Sequence, residues 1–182
     1  MDTAHITEHT RRWVSSVVTG LGLCPFAERV AKADRIRYAV YAHADWDSSK
    51  RDFAKELNFL VDAPREETET ALLIFPNASS DFCSFNEWVL QAQDLIEELE
   101  LDDFVQAVAF HPAFEFADST PEAVENFTNR SPYPTIHLLR QQSITELPLS
   151  EKELLEIPNR NTQTLRRLGQ SEITRILKSC EP

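Results

Sequence analysis

Glycine is unusually scarce in this sequence, with only three residues among 182, at positions 20, 22 and 169. Glycine-rich phosphate loops and dinucleotide-binding fingerprints need several glycines at short, fixed spacings. Three glycines at these positions supply neither pattern. The sequence therefore disfavours the nucleotide-binding folds.

Cysteines and long apolar runs are scarce as well. The three cysteines, Cys24, Cys83 and Cys180, are widely spaced and odd in number. This pattern indicates a reducing compartment rather than a disulfide framework. No stretch approaches the ~20 consecutive apolar residues of a membrane span, and the acidic, polar residues 1–5 do not resemble a signal peptide. We therefore expect a soluble, cytoplasmic protein with no membrane partner.

Basic residues are outnumbered, with 18 Lys and Arg against 30 Asp and Glu and a net charge of −12. A field of this sign repels phosphate backbones, so we expect no nucleic-acid partner. The length and the hydrophobic share of 42% suit one domain with a real core, spanning residues 1–182. Nothing in the composition indicates an oligomeric state.

The periodicity of apolar residues predicts the first helices. An amphipathic helix is expected over residues 3–19, ended by Gly20 in a left-handed conformation. A second helix is expected to begin at Cys24 and Pro25, because proline is favoured in the first helical position.

Three further helical regions are predicted. Asp47 or Ser48 is expected to cap the third helix, and the clearest apolar stripe of the chain occupies residues 85–99. The C-terminal region is predicted to be helical from residue 151, with breaks at Pro158 and Gly169.

Four strands are predicted, at residues 37–42, 70–75, 104–110 and 134–140, with a short helix near residues 121–127. The first three strands alternate with helices, which argues for parallel strands joined by right-handed crossovers. We expect an α/β (α+β) fold with a mixed four-stranded sheet flanked by helices. Its fourth strand would run antiparallel, so that it starts beside the end of the third.

His111 is the first candidate site residue, because it directly follows the third strand and precedes Pro112. Ligands of open α/β sheets collect beyond the carboxyl ends of parallel strands. A buried or capping histidine is the alternative interpretation.

Residues 128–140 form the second candidate, because two prolines stiffen a segment rich in polar side chains. An amide, a guanidinium, a hydroxyl and a phenol in this run are suited to holding a carboxylate or phosphate. The alternative is a rigid entry to an edge strand. Alternation along the strand would point His137 and Arg140 to opposite faces. The candidate ligand-binding residues are Asn129, Arg130, Ser131, Tyr133 and Arg140.

Cys24 is the third candidate, because a thiol at a helix N-terminus has a lowered pKa and favours the thiolate. One hypothesis makes Cys24 a nucleophile activated by His111 or His137. Another makes Cys24, His111 and His137 ligands of a transition metal such as Zn or Fe. No diagnostic spacing supports either, and a small buried cysteine is the alternative. His5 and His9 have metal-ligand spacing too, but we interpret them as a solvated pair at a frayed terminus.

The motifs resemble those of the family named domain of unknown function 1415, and the resemblance spans almost the whole chain. It rests on Leu-Cys-Pro-Phe-Ala at residues 23–27, Arg37-Tyr38, Phe-His-Pro at 110–112 with Phe114 and Phe116, Asn126 with residues 128–140, and residues 161–169. The family implies no reaction or substrate, and its candidate residues named above are all present here.

The sequence thus predicts a small-molecule site with enzymatic or metal-dependent chemistry. Cys24 and His111 would react or ligate, while Arg130 and Asn129 anchor an anionic group. One alternative is a non-catalytic module that binds a small anion or a peptide. The other is a structural or regulatory partner protein.

Overall fold

The structure, a computed structural model, describes residues 2–181. These residues form seven α-helices and four strands, together with a π-helix and a 3₁₀ helix. In chain order the elements are α1 (Thr3–Trp13), the π-helix (Val14–Thr19), α2 (Ala27–Lys32), β1 (Ile36–Val40), α3 (Trp46–Asp62), β2 (Thr70–Ile74), α4 (Phe82–Glu98), β3 (Val105–Phe110), the 3₁₀ helix (Val124–Thr128), β4 (Thr135–Arg140), α5 (Gln141–Thr145), α6 (Glu151–Leu168) and α7 (Gln170–Ser179).

The four strands form one mixed sheet in the order β1-β2-β4-β3. β1 and β2 are parallel, and β4 is antiparallel to both β2 and β3. The fold class and the direction of the fourth strand are therefore confirmed. β4 is an inner strand, however, and not the edge strand that the alternative interpretation of residues 128–140 assumed.

Each face of the sheet packs against its own helices. On one face, α3 and α4 contribute Phe53, Leu57, Phe85 and Trp88 to a core that includes Leu138 of β4. On the other face, Trp13, Val30, Leu72, Leu165 and Ile173 belong to a second core. Since successive strand residues point to opposite faces, a residue's parity decides which core it joins. All five residues of β2 are buried, as expected of a strand covered on both sides.

A buried ion-pair cluster lies at the edge of the sheet where β1 and β2 begin. The Glu69 carboxylate, 1% exposed, lies 2.8 Å from Arg65 Nη2 and 3.3 Å from Arg35 Nη1. It also accepts a hydrogen bond from Ser143 Oγ of α5 at 2.8 Å. These contacts hold the pKa of Glu69 below its usual range against the opposing effect of burial. The cluster ties α5 to the start of the sheet.

Helix starts differ from the sequence-based expectation by a few residues. Asp45, rather than Asp47 or Ser48, caps α3, because its side chain accepts a hydrogen bond from Ser48 N at 2.8 Å. Trp46, which is 6% exposed, thereby lies in the first turn. The apolar stripe of α4 is confirmed from Phe85 to Ile96, with Phe85, Trp88, Val89, Ala92, Leu95 and Ile96 buried. Leu99, the last residue of the predicted stripe, is the C-cap and is exposed.

The prediction for Gly20 was wrong. Gly20 has a right-handed helical conformation, and Gly22, at φ +64°, takes the left-handed one. A Cβ atom on Gly20 would lie 2.4 Å from the Ser16 carbonyl oxygen. Gly20 therefore permits the close approach at the end of the π-helix, which continues α1 to residue 19 as the periodicity predicted.

Two proline-based predictions were also wrong. α2 begins at Ala27, because Cys24 and Pro25 lie in a turn closed by a 3.3 Å hydrogen bond from Ala27 N to Cys24 O. α6 runs through Pro158 without a break. Pro158 is exposed, and a proline at this position removes one backbone hydrogen bond from the helix. The break at Gly169 is confirmed, with φ at +81°.

Asn161 fastens α6 to the turn that carries Cys24. Its side-chain amide donates to the Leu23 carbonyl at 2.7 Å, and Asn161 is 4% exposed. Asn161→Leu leaves that carbonyl buried without a partner, so we expect a loss of about 1–3 kcal/mol in the free energy of unfolding, measured with urea. Asn159→Leu, at an exposed position on the same helix, is the control and should change it by less than about 0.5 kcal/mol. Equal effects would contradict this role of Asn161.

Candidate functional site

A cavity of about 220 Å³ lies between the sheet and the helices that precede it. Its floor is the sheet face that bears Leu72, Val108 and His137. Most of its wall is apolar: Trp13, Val14, Val18, Leu23, Phe26, Ala27, Val30, Ile36, Phe110 and Leu139. Its polar lining residues are Cys24, Thr70, Thr128, Asn129 and His137. Cavities of this kind, apolar with a few convergent polar groups, are typical of small-molecule sites.

The exposure of the lining residues shows where the cavity opens. Trp13, Val30 and Leu72, beneath the helices, are buried. The partly exposed lining residues lie on β3, on β4 and in the segments beside them: Val18, Cys24, Val108, Phe110, Thr128, Asn129, His137 and Leu139. The cavity therefore opens along β3 and β4.

His137 lies on the cavity floor and is neutral. Its Nε2 lies 2.6 Å from Thr70 Oγ1, and the Thr70 hydroxyl donates its single proton to the Leu138 carbonyl at 2.6 Å. Nε2 must therefore carry the proton and donate to Thr70. Burial lowers the pKa of His137 to about 4. The imidazole is thus neutral near pH 7, and Nδ1 is an acceptor with no hydrogen bond among residues 2–181.

Cys24 forms part of the cavity wall in the turn before α2. Burial raises the pKa of its thiol, whereas the backbone N–H groups of Phe26 and Ala27 and the charge of Arg160 act in the opposite direction. Burial has the larger effect. The expected low thiol pKa is therefore not found, because the six-residue α2 begins beyond Cys24 and the sulfur lies among apolar side chains.

Trp13 and Asn129 connect the cavity wall to residues 128–140. The indole Nε1 of Trp13 donates to the Arg130 carbonyl at 3.0 Å, and the ring packs edge-on against Phe110. The side-chain amide of Asn129 donates to the Ala109 carbonyl of β3 at 3.0 Å. Both contacts fix the position of the rim, so the cavity is a defined feature of the fold.

His111 lies on the opposite face of the sheet from His137. Phe110 points to the cavity, so the next residue points away from it, and His111 packs against Phe82 and Phe85 of α4. Its Nε2 donates to the Ser79 carbonyl, and its Nδ1 accepts from Ala113 N, both at 3.0 Å. Burial lowers the pKa of His111. Both ring nitrogens thus have backbone hydrogen-bond partners, as in the alternative interpretation of His111 as a buried or capping histidine.

The proposed metal ligands do not converge. The sheet separates His111 from Cys24 and His137, and the His111 nitrogens already have backbone partners. Among residues 2–181, no group of three His, Cys, Asp or Glu side chains is placed to hold a metal ion. The residues present therefore do not fit the Zn or Fe site considered from the sequence.

Arg130 lies beside the cavity rim but is not a lining residue. It donates to the Phe114 carbonyl through Nε at 3.2 Å and to the Pro121 carbonyl through Nη2 at 2.6 Å. Its guanidinium also stacks on the Phe127 ring, 4.5 Å from the centroid. These contacts hold residues 112–127 in place, and they occupy donors that an anion would otherwise use.

The remaining candidates of this run also bond within the chain. Ser131 Oγ donates to the Tyr133 carbonyl at 2.6 Å. The Tyr133 hydroxyl lies 3.1 Å from His9 Nδ1. Arg140 donates through Nη2 to carbonyls at the end of α3, including that of Ala63 at 2.7 Å. His137 and Arg140 point to opposite faces, as predicted, and none of Ser131, Tyr133 and Arg140 lines the cavity.

The interpretation of His9 as solvated was wrong. α1 is capped by Asp2, and the His9 ring packs edge-on against Tyr133 with centroids 5.3 Å apart. His5 is exposed. The two histidines therefore do not act together as a pair.

The sequence did not identify Thr70 or the apolar wall as parts of the site. Thr70 is the most consequential, because it fixes which nitrogen of His137 carries the proton. Trp13 was included only in the predicted helix over residues 3–19, and Thr128 only in the candidate run of residues 128–140. Thr70 and Leu72 are two residues apart in β2 and so point to the same face of the sheet. Leu72 pairs with His137 in the register. The contact between Thr70 and His137 could therefore be inferred only if it were known that β2 and β4 are neighbours.

The family described as "Protein of unknown function (DUF1415)" matches residues 5–175. The chain belongs to this family. No curated protein and no solved structure matches the chain. No helix among residues 2–181 combines the length and the hydropathy that crossing a membrane requires.

Six of the candidate residues identified from the sequence fall into two groups. Cys24, Asn129 and His137 line the cavity. His111, Arg130 and Arg140 bond to backbone groups outside it. The candidate site therefore keeps Cys24, Asn129 and His137 from the predicted set and adds Thr70.

The low pKa of His137 predicts a loss of stability in acid. Between pH 6.5, the ordinary histidine value, and about 4, the unfolded chain binds a proton that the folded protein does not. The free energy of unfolding should therefore fall as the pH drops through this window and level off below it. The share of His137 should be about 3 kcal/mol, from 1.36 kcal/mol per pKa unit. Urea unfolding at pH 7 and pH 4, with His137→Leu, measures it.

The variant retains His9 and His111, whose pKa values are also lowered by burial, so its difference from the natural protein isolates His137. An NMR titration of the His137 ring should show a midpoint near pH 4. A midpoint near 6.5, or equal pH dependence in both proteins, would contradict the assignment.

Proposed function

We propose that this protein binds a small, uncharged, mainly apolar molecule in the cavity between the sheet and α1, the π-helix and α2. The observation that carries the proposal is the convergence of Cys24 and His137 on one apolar cavity that opens along β3 and β4. Of the functions expected from the sequence, a small-molecule site is the one that this geometry favours. A non-catalytic anion site has less support, because Arg130 is turned to backbone carbonyls.

The size and electrostatics of the cavity limit its ligand. An apolar protein cavity of ~150 Å³ accepts benzene, so a cavity of about 220 Å³ suits a substituted benzene ring or a comparable branched aliphatic molecule. Among residues 2–181, no Lys, Arg, Asp or Glu side chain lines it. A charged ligand would lose its hydration without gaining a counter-ion, at a cost of several kcal/mol. A neutral molecule is therefore favoured.

Toluene is a suitable probe, because it fills such a cavity and makes no hydrogen bond. We expect saturable binding in NMR titrations, with shifts centred on Leu72, Val108 and Phe110. Val108→Trp places an indole on the cavity floor and should abolish binding. Leu90→Trp, at an exposed position of α4 (52% exposed), is the control and should bind toluene normally.

Absence of saturable binding of both toluene and phenol to the folded natural protein would refute the proposal. Unchanged binding by a folded Val108→Trp variant would place the ligand elsewhere and refute it equally. Circular dichroism of both tryptophan variants establishes that they are folded.

A second candidate function, nucleophilic chemistry at Cys24, has one favourable observation. The N–H groups of Phe26 and Ala27 and the charge of Arg160 favour the Cys24 thiolate. A ligand that displaces the thiol from its apolar surroundings, or brings a charge to it, would increase this effect. In the unliganded protein, burial dominates and the thiol is protonated near neutral pH.

Alkylation by iodoacetamide tests the state of Cys24. We expect its rate to rise with a midpoint above ~8.5, the ordinary thiol value, because burial raises the pKa. Saturating toluene should slow alkylation of Cys24 and leave that of the exposed Cys83 unchanged. Mass spectrometry of the digested protein separates the two sites. A midpoint below 8 would instead favour an activated nucleophile.

A further inference from the structure

Nδ1 of His137 is a hydrogen-bond acceptor in the cavity, and it determines which hydrogen-bonding group a ligand needs. Thr70 accepts a hydrogen bond from His137 Nε2 and donates to the Leu138 carbonyl. The only proton of the neutral ring is thereby held at Nε2. Nδ1 of the cavity-lining His137 keeps a lone pair that no side chain or backbone group among residues 2–181 engages.

Thr70 is itself held firmly. It is 3% exposed at the first position of β2, where it pairs with Leu139 in the register. The carbonyl that accepts its proton belongs to Leu138 of the inner strand β4. Reversing the Thr70 hydroxyl would leave this buried carbonyl with one fewer partner, so the backbone of the sheet determines the tautomer of His137.

The other polar groups of the cavity do not engage His137 Nδ1. The Asn129 amide donates to Ala109 O, and the Cys24 sulfur lies near the N–H groups of Phe26 and Ala27. Thr128 also lines the cavity and is partly exposed. The cavity thus offers an acceptor on its floor, within apolar walls. His137 is partly exposed. A ligand that covers Nδ1 without donating to it leaves this acceptor without a hydrogen bond, whereas a ligand hydroxyl or N–H supplies one.

We propose that the cavity selects an uncharged molecule that carries one hydroxyl or N–H group, which donates a hydrogen bond to His137 Nδ1. This inference rests on the proposed binding function and names its substrate class. Phenols, small alcohols and pyrrole-type N–H compounds share this chemistry. Ethers and aldehydes of the same size have only acceptors and meet the Nδ1 lone pair unfavourably.

The test compares phenol, anisole and toluene, which share a ring and differ in hydrogen-bonding capacity. Affinities are measured by isothermal titration calorimetry or NMR on the natural protein, His137→Leu and Thr70→Val. The ratio of phenol affinity to toluene affinity should fall roughly fivefold or more in His137→Leu, as expected for one neutral hydrogen bond. Taking ratios removes the effect of the altered cavity volume.

Thr70→Val gives an independent test of the tautomer. Without Thr70 to receive the Nε2 proton, the ring proton can reside at Nδ1 and donate into the cavity. The affinity of anisole relative to toluene should then rise severalfold, while that of phenol relative to toluene falls. A structural role of Thr70 alone would weaken all three ligands equally.

The outcomes separate this inference from the proposed function. If toluene binds but the phenol-to-toluene ratio is the same in the natural protein, His137→Leu and Thr70→Val, the donor requirement is overturned and the cavity remains a ligand site. If toluene and phenol both fail to bind the natural protein, both proposals fail. If one variant does not fold, the ratio in the other still decides the result.

Discussion

The insertion of β4 between β2 and β3 is the constraint on which the rest of this structure depends. In the register, His137 pairs with Leu72 on one side and with Val108 on the other. A shift of one residue would turn His137 toward the α3–α4 core and place a neighbouring leucine on the cavity floor. The entry to β4 fixes this register, because Pro134 O accepts from Phe75 N at 2.9 Å and Ser131 Oγ donates to Tyr133 O.

The polar side chains around β3 and β4 chiefly satisfy backbone groups. Asn129, Arg130 and Arg140 donate to carbonyls, and His111 bonds to one carbonyl and one N–H. Irregular segments that cross the ends of a sheet leave such groups without ladder partners, and buried ones must find partners elsewhere. This requirement accounts for most of the polar density in residues 128–140. His137 differs from these residues, because its Nδ1 bonds to no backbone group among residues 2–181.

The fold could largely be predicted because its signals are local. Apolar periodicity located α1 and α4, and strand alternation placed His137 and Arg140 on opposite faces. The position of β4 could not be predicted, because strand order is set by packing between distant segments. The same limit hid Thr70, which lies 67 residues from its partner His137. The side of the sheet on which His111 lies could have been predicted from strand alternation, because His111 has the same parity as the core-facing Ala107 and Ala109. A position at the end of a strand does not by itself indicate the face to which a side chain points.

Some helix boundaries could not be predicted, for a different physical reason. Proline commonly starts or breaks a helix and glycine commonly ends one in a left-handed conformation. In this structure Pro25 lies in a turn, Pro158 lies within α6 and Gly20 permits a close backbone contact. Each residue type permits several conformations, and tertiary contacts select among them. Asn161, for example, holds the Leu23 carbonyl and so fixes the turn in front of α2.

Burial makes both reactive groups of the cavity neutral. It raises the pKa of Cys24 and lowers that of His137, so a thiolate–imidazolium pair is disfavoured in the unliganded protein. The two shifts have one cause, burial among apolar side chains, and each shift favours the neutral form of its group. A chain with a net charge of −12 thus keeps formal charge out of this cavity. If the cavity binds a ligand as we propose, discrimination among ligands would come from shape and from hydrogen-bond direction, and Thr70 sets that direction.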